Sequence, residues 1–255
     1  MTTPADAPSA RQRPSSSAPG GAASSASAAA DSDAGRAALA WLHSARFLTT
    51  ASRLEQLPAP DLPEIAFVGR SNAGKSSAIN ALAQHKRLAF SSRTPGRTQH
   101  INLFEVGPRE RPDALLADLP GYGYAAVERA AKLRWQRVMA DYLQARESLA
   151  GVVLLADARL GLTDLDQRLL ALLAPRLAGG AVRLLVLLTK ADKLNRREGQ
   201  RSLERCEQAL AALAADIPAD GGEEADIGVT LFSALSRQGL ADVAEVLHGW
   251  RAAAA

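Results

Sequence analysis

Residues 65–77, IAFVGRSNAGKSS, determine how the rest of the chain is interpreted. The apolar run before the first glycine predicts a buried strand, and the residues after the lysine predict a helix. Between them, residues 69–76 fit the phosphate-binding pattern G-x-x-x-x-G-K-[ST], in the strand–loop–helix context that this pattern requires. The alternative is an ordinary strand–turn–helix that matches the pattern by chance.

The fixed positions of this loop have separate chemical roles. Gly69 and Gly74 allow backbone conformations and close approaches that a Cβ atom would block. The N–H groups of the loop then point inward and form an anion site at a helix N-terminus. We expect Lys75 to reach the β- and γ-phosphates of a nucleotide and the Ser76 hydroxyl to bind Mg²⁺. The predicted phosphate-binding loop comprises Gly69, Arg70, Ser71, Asn72, Ala73, Gly74, Lys75 and Ser76.

The bulk composition is compatible with a soluble globular core. The chain has 255 residues, which suggests one large or two small domains, and 47% of them are hydrophobic and 22% charged. The single cysteine, Cys206, excludes an intramolecular disulfide and fits a reducing compartment. No apolar run is long enough to predict a transmembrane helix. The net charge of +3 permits an RNA partner without arguing strongly for one.

The N-terminal segment differs in composition from the rest of the chain. It is rich in Ser, Ala, Pro and Gly and has almost no large apolar side chain, so it cannot bury enough surface to offset the entropy of ordering. We therefore predict a disordered tail over residues 1–36 and a single domain over residues 37–255. Within this domain, residues 37–49 are expected to form a short helix at the edge.

Predicted strands and helices alternate along the domain. The strands cover residues 65–68, 100–106, 114–117, 152–156, 182–188 and 228–232. The helices cover residues 77–84, 128–149, 164–176, 197–215 and 240–250. A tight turn joins the second and third strands, which predicts one antiparallel pair. The near-continuous apolar strands indicate an α/β fold whose sheet is covered by helices on both faces.

Polar segments follow four of the predicted strands, at the point where each strand ends. Ligands of open α/β sheets bind at the carboxyl edge of the strands. Segments that are far apart in the sequence can therefore converge on one site. These segments are residues 69–76, 118–121, 189–192 and 233–234.

The segment Asp118, Leu119, Pro120 and Gly121 fits the pattern D-x-x-G. A carboxylate at this place can bind Mg²⁺, often through water, and the glycine N–H can meet a γ-phosphate. A strand-terminal aspartate that caps a turn is the alternative. The pattern is weak alone, but its position after the phosphate-binding loop makes it persuasive.

The segment Thr189, Lys190, Ala191 and Asp192 fits [NT]-K-x-D. A carboxylate accepts two hydrogen bonds from adjacent donors, and guanine presents such a pair at N1 and the exocyclic N2, whereas adenine does not. Asp192 would therefore select guanine, with the stem of Lys190 lying along the base. A helix N-cap aspartate, which is common, is the alternative.

Two weaker segments complete the predicted site. The backbone N–H groups of Phe232, Ser233 and Ala234 would face the guanine carbonyl, although so short a string carries little information alone. Thr98 lies in a polar loop, and its hydroxyl could complete the Mg²⁺ shell when the γ-phosphate is present, which would order the loop. An ordinary flexible loop is the alternative. The predicted metal ligands are thus Ser76 and Thr98.

These motifs, in this order, resemble those of translation-factor-type (TRAFAC) GTPases. The longer strings GRSNAGKSS, SRTPGRTQHINLFEV, DLPGYGYA, KLRWQ and LLTKADKL are similar to those of the bacterial EngB (YihA/YsxC) GTP-binding proteins. The resemblance covers roughly residues 40–250 and extends the predicted nucleotide site around Thr98 to Gly96, Arg97, Gln99 and His100.

The resemblance implies a P-loop fold with a six-stranded, mixed, mostly parallel sheet. It also implies a monomeric cytoplasmic GTPase that binds GTP, GDP and Mg²⁺, acts in assembly of the large ribosomal subunit, and is needed for normal division and septation. The long N-terminal tail departs from compact relatives, so nothing about its role follows from the resemblance.

Two positions bear on the rate of hydrolysis. Tyr122 occupies the place where many GTPases have a glutamine that orients water, which predicts slow intrinsic hydrolysis. Asn72 lies where some related GTPases use an asparagine to help bind K⁺ beside the phosphates. The equal alternative is that Asn72 only tolerates a left-handed loop conformation.

Arginine-rich stretches within residues 129–146 and 196–205 are by default solvated helix faces, and a ribosomal RNA footprint is the functional alternative. Two rival functions remain at this stage. A P-loop small-molecule kinase is disfavoured by the T-K-x-D segment. A guanine-nucleotide-binding scaffold without useful hydrolysis is not separated by the sequence from a GTPase switch.

Overall fold

The computed structural model describes residues 32–59, 61–89, 100–123, 129–215 and 225–251, with the backbone alone over residues 129–136. Helices alternate with strands over these ranges. The helices are α1 (Asp33–His43), α2 (Lys75–Leu82), α3 (Arg129–Ala145), α4 (Asp164–Ala178), α5 (Arg196–Ala215) and α6 (Leu240–Trp250). The strands are β1 (Arg46–Ala51), β2 (Glu64–Gly69), β3 (Ile101–Val106), β4 (Ala114–Asp118), β5 (Leu149–Asp157), β6 (Arg183–Thr189) and β7 (Ile227–Leu231).

The strands form one mixed sheet in the order β1-β3-β4-β2-β5-β6-β7. Strand β3 is antiparallel to both of its neighbours, as the tight turn before β4 predicted. The pairs β4–β2, β2–β5, β5–β6 and β6–β7 are all parallel. The carboxyl ends of six strands, all but β3, therefore lie along one edge of the sheet. The predicted α/β architecture is confirmed.

Alternation along the central strands creates one hydrophobic core on each face of the sheet. Phe67 on β2 and Val153 on β5 belong to the core that α1, α2 and α6 cover. Their neighbours Val68 and Val152 belong to the core that α3, α4 and α5 cover. Strands β2 and β5 are buried along their whole length, which explains their near-continuous apolar sequences.

The N-terminal part of the domain differs from the prediction of a helix over residues 37–49. Helix α1 begins at Asp33, inside the predicted tail, because the Ser32 hydroxyl accepts a hydrogen bond from the N–H of Gly35 at 2.8 Å. The prediction of helix over residues 46–49 is wrong, because those residues belong to β1. This strand contains β-branched Thr49 and Thr50 and pairs with β3, so tertiary pairing overrides the helical pattern.

Strand β1 is also the reason that the sheet has seven strands where the resemblance implied six. A second boundary error concerns α3, which ends at Ala145, whereas the prediction extended it to residue 149, where β5 begins. The other predicted elements agree with the structure to within about three residues at each end. Residues 1–31 lie outside the described ranges, so the tail stays a prediction. No helix in those ranges is both long and apolar enough to cross a bilayer.

A buried charged cluster anchors α3 at the edge of the sheet opposite to the carboxyl ends. Glu64, at the start of β2, is fully buried and accepts hydrogen bonds from the Tyr142 hydroxyl and from two nitrogens of Arg146. Arg176 on α4 donates to the carbonyls of Leu143 and Arg146 at 3.1 and 2.9 Å. These bonds satisfy the buried carboxylate and tie α3 and α4 to the central strand.

Strand β5 and helix α6 leave no space for a side chain at Gly151. A Cβ atom there would lie 2.1 Å from Cε3 of Trp250, which is itself buried. We expect Gly151→Ala to lower the free energy of unfolding by about 1–3 kcal/mol or more, because the indole must shift within a filled core. Urea denaturation measures this change.

Gly249→Ala is the matched control, because it adds the same methyl group one residue before Trp250. A Cβ at Gly249 meets nothing within 4 Å, and alanine in a helix is more stable than glycine by about 0.5–1 kcal/mol. Gly249→Ala should therefore be neutral or stabilising. Equal stability of Gly151→Ala and the unmodified chain would contradict the packing described for β5 and α6.

Candidate functional site

The loop between β2 and α2 has the shape of an anion site. Strand β2 ends at Gly69 and α2 begins at Lys75. The intervening turn is tight, with Ala73 N donating to the Arg70 carbonyl at 3.0 Å. Asn72 and Gly74 have positive φ angles of 67° and 98°, the left-handed region in which glycine is unstrained. The N-terminus of a helix is the end that binds anions, and this loop leads directly into the N-terminus of α2.

Lys75 and Asp118 form a buried ion pair at the base of this loop. Their side chains are 8% and 1% exposed, and the Lys75 ammonium donates to Oδ1 of Asp118. The other carboxylate oxygen, Oδ2, is buried and has no hydrogen-bond partner in the described part of the chain. The unsatisfied carboxylate oxygen of Asp118 and the hydroxyl of the half-buried Ser76, the residue after Lys75, are the kind of oxygen ligands that Mg²⁺ prefers. The donor set therefore fits the ion.

The D-x-x-G segment runs beside the phosphate-binding loop. Strand β4 pairs with β2, and after it Leu119 N donates to the Phe67 carbonyl at 3.1 Å. Ser71 N in turn donates to the Tyr122 carbonyl at 2.8 Å. A Cβ atom on Gly121 would lie 3.3 Å from Ser71, so glycine allows the two segments to approach this closely. Leu119 and Pro120 are buried.

Tyr122 is held against α4. Its hydroxyl donates to Oδ1 of Asp166 at 2.5 Å, and its side chain is 8% exposed. Burial, followed by the charge of Asp166 and the hydrogen bond to it, raises the pKa of Tyr122, so the phenol stays protonated. Oδ2 of Asp166 accepts from the N–H and the hydroxyl of Thr163, at 2.8 and 2.6 Å. The Tyr122 hydroxyl is thus bonded to the start of α4.

The T-K-x-D segment packs directly on the phosphate-binding loop. The Thr189 hydroxyl donates to the Ala73 carbonyl at 2.6 Å, although the two residues are 116 positions apart. The Lys190 ammonium donates to the Asn72 carbonyl at 2.8 Å and to Oδ2 of Asp157 at 3.0 Å. Two segments that the sequence assigned to phosphate and base recognition are therefore in contact.

Asp192 lies beside the end of β7. Oδ1 of Asp192 accepts a hydrogen bond from the Ser233 hydroxyl at 2.6 Å, and Oδ2 is 3.5 Å from the Lys193 ammonium. The hydrogen bond from Ser233, together with Lys193, holds the pKa of Asp192 below its usual value. The side chain is therefore an ionised carboxylate, the form that can accept from two adjacent N–H donors.

The last predicted segment is anchored to β6 by its backbone. Phe232 N donates to the Leu188 carbonyl at 2.9 Å, and Ala191 N donates to the Phe232 carbonyl at 3.1 Å. Ser233 N donates a hydrogen bond to the Gln238 carbonyl at 3.1 Å. Of the three N–H groups predicted to face a guanine carbonyl, only that of Ala234 has no acceptor within the described part of the chain.

The predicted loop between α2 and β3 is described only at its end. Gly96, Arg97, Thr98 and Gln99 lie outside the described residues, so their predicted roles are untested. His100 is exposed, and its Nδ1 is 2.8 Å from the Ser52 hydroxyl. His100 directly precedes β3 and therefore lies near the carboxyl end of β4. Its hydrogen bond is to Ser52, in the segment after β1, and not to the phosphate-binding loop.

Asp157 is a residue of this site that the sequence analysis did not select. It ends β5, between β2 and β6, and its side chain is 8% exposed. The signal was present in the sequence, because Asp157 is a carboxylate at the end of an apolar strand, like Asp118. It was not selected because no short motif surrounds it.

Comparison with known proteins identifies the family. A family model described as "50S ribosome-binding GTPase" matches residues 64–190. A relative from Acidovorax ebreus, "Probable GTP-binding protein EngB", is 57% identical over 212 residues, which cover 83% of this chain and 90% of the relative. Relatives of the same name from Polaromonas sp. and Burkholderia thailandensis are 55% and 50% identical, covering 84% and 82% of this chain and 82% and 91% of their own lengths.

Solved structures agree in fold. The crystal structure of a probable GTP-binding protein EngB has a TM-score of 0.52 at 18% identity, covering 74% of this chain and 98% of that one. Era from Aquifex aeolicus, bound to GDP and aluminium fluoride, has a TM-score of 0.55 at 17% identity, covering 74% and 56%. Similarity at this level of identity concerns the fold alone. The identities to the curated relatives, over more than four-fifths of the chain, show that it belongs to the EngB family of GTP-binding proteins, with the P-loop GTPase fold.

Proposed function

We propose that this protein is a GTPase switch that binds GTP and GDP with Mg²⁺, hydrolyses GTP slowly, and acts in assembly of the large ribosomal subunit. The observation that carries the proposal is the contact between Lys190 and the Asn72 carbonyl at 2.8 Å. It brings the base-recognition and phosphate-recognition segments within reach of one nucleotide. A role in cell division and septation is implied by the family resemblance and belongs to the same proposal.

Base selection is assigned to Asp192. Its carboxylate is ionised and oriented by Ser233, so its two oxygens can accept from N1 and N2 of guanine. The N–H of Ala234 is the donor available to the guanine carbonyl. Adenine lacks the adjacent donor pair and could not donate both hydrogen bonds to the carboxylate, which costs affinity at a site built for hydrogen bonding.

Phosphate binding is assigned to the loop amides and Lys75. The Lys75 ammonium is bonded to Asp118, and a triphosphate would compete with that carboxylate for it. Bound Mg²⁺ supplies charge neutralisation at the phosphates. Ser76, Asp118 and, in the undescribed loop, Thr98 are the residues that would hold the ion.

Slow hydrolysis is inferred from Tyr122, the residue that follows the D-x-x-G segment. Tyr122 donates its hydroxyl to Asp166 and has no amide with which to accept and donate to a water. The same fact favours a second candidate, a guanine-nucleotide-binding scaffold without useful hydrolysis. Asn72 is the residue we assign to K⁺ binding beside the phosphates. Its φ of 67° also matches the alternative that it only serves the loop conformation.

The ribosomal partner is inferred from the family and from surface charge. The family model is described as ribosome-binding. Helix α5 has four exposed arginines, which are Arg196, Arg197, Arg201 and Arg205. Phosphates of RNA attract such surfaces through release of counterions. We expect the protein to be a cytoplasmic monomer when it is not bound to a ribosomal particle.

Exchange of the Asp192 carboxylate for an amide tests base selection. The amide of Asp192→Asn offers one donor and one acceptor in place of two acceptors. GDP affinity should therefore fall by about 10²-fold, since a hydrogen bond to a charged group contributes about 1.5–3 kcal/mol. Affinity for xanthosine diphosphate should rise, because xanthine presents a carbonyl where guanine has its amino group. Calorimetry with GDP, ADP and xanthosine diphosphate measures the three values.

Asp61→Asn, an equal change at an exposed aspartate on the opposite edge, is the control and should bind GDP normally. Unchanged guanine preference in Asp192→Asn would remove the assigned role, and preference of the unmodified protein for ADP would remove the proposed function.

Single-turnover hydrolysis distinguishes the switch from the scaffold. For the unmodified protein alone we expect a rate constant on the order of 10⁻⁴ to 10⁻² s⁻¹, because Tyr122, the residue after Gly121, has no side-chain amide to orient the water. Radiolabelled GTP at excess protein gives this value. A faster rate in the absence of any partner would contradict the inference from Tyr122.

The same assay with large ribosomal subunits present tests the scaffold and the K⁺ site. Turnover that rises with ribosomal particles supports the switch, and turnover that is undetectable or stays at the intrinsic rate supports the scaffold. Equal stimulated rates in K⁺ and Na⁺ would remove the role proposed for Asn72.

Co-sedimentation tests the partner. We expect the protein to pellet with large ribosomal subunits in the presence of a non-hydrolysable GTP analogue and to remain largely in the supernatant with GDP, because the γ-phosphate orders the loop that contains Thr98. Asp192→Asn with the same analogue is the control and should pellet less. Equal sedimentation with the analogue, with GDP and without nucleotide would contradict a nucleotide-dependent switch.

A further inference from the structure

The side chain of Lys190 is fixed at both ends. Its backbone has φ 59° and ψ 32°, a left-handed conformation that a lysine adopts only where the surroundings determine it. Its side chain is one-third exposed, and its ammonium donates to the Asn72 carbonyl and to Oδ2 of Asp157. The aliphatic stem between these ends is the part expected to lie along the base.

Asp157 is placed for this contact by the sheet. It is paired with Thr189 in the β5–β6 register, directly before Lys190. Both of its oxygens are engaged. Oδ1 accepts from the backbone N–H and Nε of Arg159 at 3.1 and 2.9 Å, and Oδ2 accepts from Nη2 of Arg159 at 2.6 Å and from Lys190 at 3.0 Å.

We propose that Asp157 is a positioning residue for nucleotide binding, which holds the Lys190 ammonium so that the lysine stem stays in place against the base. The inference rests on the proposed function and deepens it, since it adds a residue that does not itself touch the nucleotide. The hydrogen bonds from Arg159 and Lys190 hold the pKa of Asp157 well below its usual range, so the carboxylate stays charged at neutral pH.

Arg159 has a different part in this cluster. Its side chain is half exposed, and all three of its bonds to Asp157 are made within the turn that follows β5. If Asp157 served only this turn, loss of Arg159 would affect nucleotide binding as much as loss of the carboxylate. If Asp157 acts through Lys190, loss of Arg159 should have much less effect.

Dissociation of fluorescently labelled GDP from the full chain tests the proposal. Asp157→Asn should dissociate labelled GDP and GTP about tenfold faster than the unmodified protein, and equally so, because the contact concerns the base and not the γ-phosphate. Its preference for GDP over xanthosine diphosphate should be unchanged, because Asp192 is intact. Arg159→Ala should stay within about threefold of the unmodified protein.

A double-mutant cycle separates positioning from a general structural effect. Lys190→Met keeps an apolar stem but removes the ammonium, and it should dissociate GDP at least tenfold faster. Addition of Asp157→Asn to Lys190→Met should then change the rate by less than twofold, whereas independent effects would multiply. Thermal unfolding without nucleotide checks that each variant is folded.

Three outcomes would overturn the proposal: Asp157→Asn within twofold of the unmodified rate, multiplying effects in the double variant, or an effect of Arg159→Ala as large as that of Asp157→Asn. If Asp157→Asn does not fold, the test rests on Lys190→Met. An unchanged GDP dissociation rate in Lys190→Met would then overturn the proposal. Failure of the unmodified protein to retain labelled GDP would instead refute the proposed function, so the two failures are distinguishable.

Discussion

The packing of the T-K-x-D segment on the phosphate-binding loop is the constraint on which the site depends. The Thr189 hydroxyl and the Lys190 ammonium both donate to carbonyls of that loop, at Ala73 and Asn72. These two carbonyl oxygens therefore face the end of β6, whereas the N–H groups of Ser71 and Ala73 donate to the carbonyls of Tyr122 and Arg70. The two contacts therefore fix the T-K-x-D segment against the phosphate-binding loop.

Electrostatics divides the site into two parts with different properties. On the phosphate side, Lys75 and Asp118 are nearly fully buried, and one oxygen of Asp118 is without a partner in the described part of the chain. A buried charge with an unsatisfied oxygen is costly unless a cation or donor joins it. On the side of the T-K-x-D segment, both oxygens of Asp157 accept hydrogen bonds, from Arg159 and Lys190, and Oδ1 of Asp192 accepts from Ser233. The phosphate side is therefore the part whose bonding should change with the bound ligand.

Much of the fold and of the site could be predicted from the sequence, for identifiable reasons. Strands β2 and β5 are buried on both faces, so their apolar runs are unambiguous. The residues within each motif have fixed spacing because each motif directly follows the end of one strand. Strand β1 was mistaken for helix because an edge strand with exposed Phe47 and Leu48 has no alternation that separates it from an amphipathic helix. Asp157 was missed because its role depends on register with β6, which no local pattern encodes.

The position of Tyr122 connects the site to the rest of the domain. Its backbone forms an isolated β-bridge with Arg70, at the start of the phosphate-binding loop. Its hydroxyl is hydrogen-bonded to Asp166 in the first turn of α4. Residues 124–128, which follow it, lie outside the described ranges. Any rearrangement of the D-x-x-G segment toward a γ-phosphate must either keep the bond to Asp166 or leave a buried carboxylate with one donor fewer. Since α4 also contacts α3 through Arg176, a change at Tyr122 can reach the face of the sheet that α3 and α4 cover. Tyr122 is thus a direct physical connection between the phosphate-binding loop and that face of the sheet.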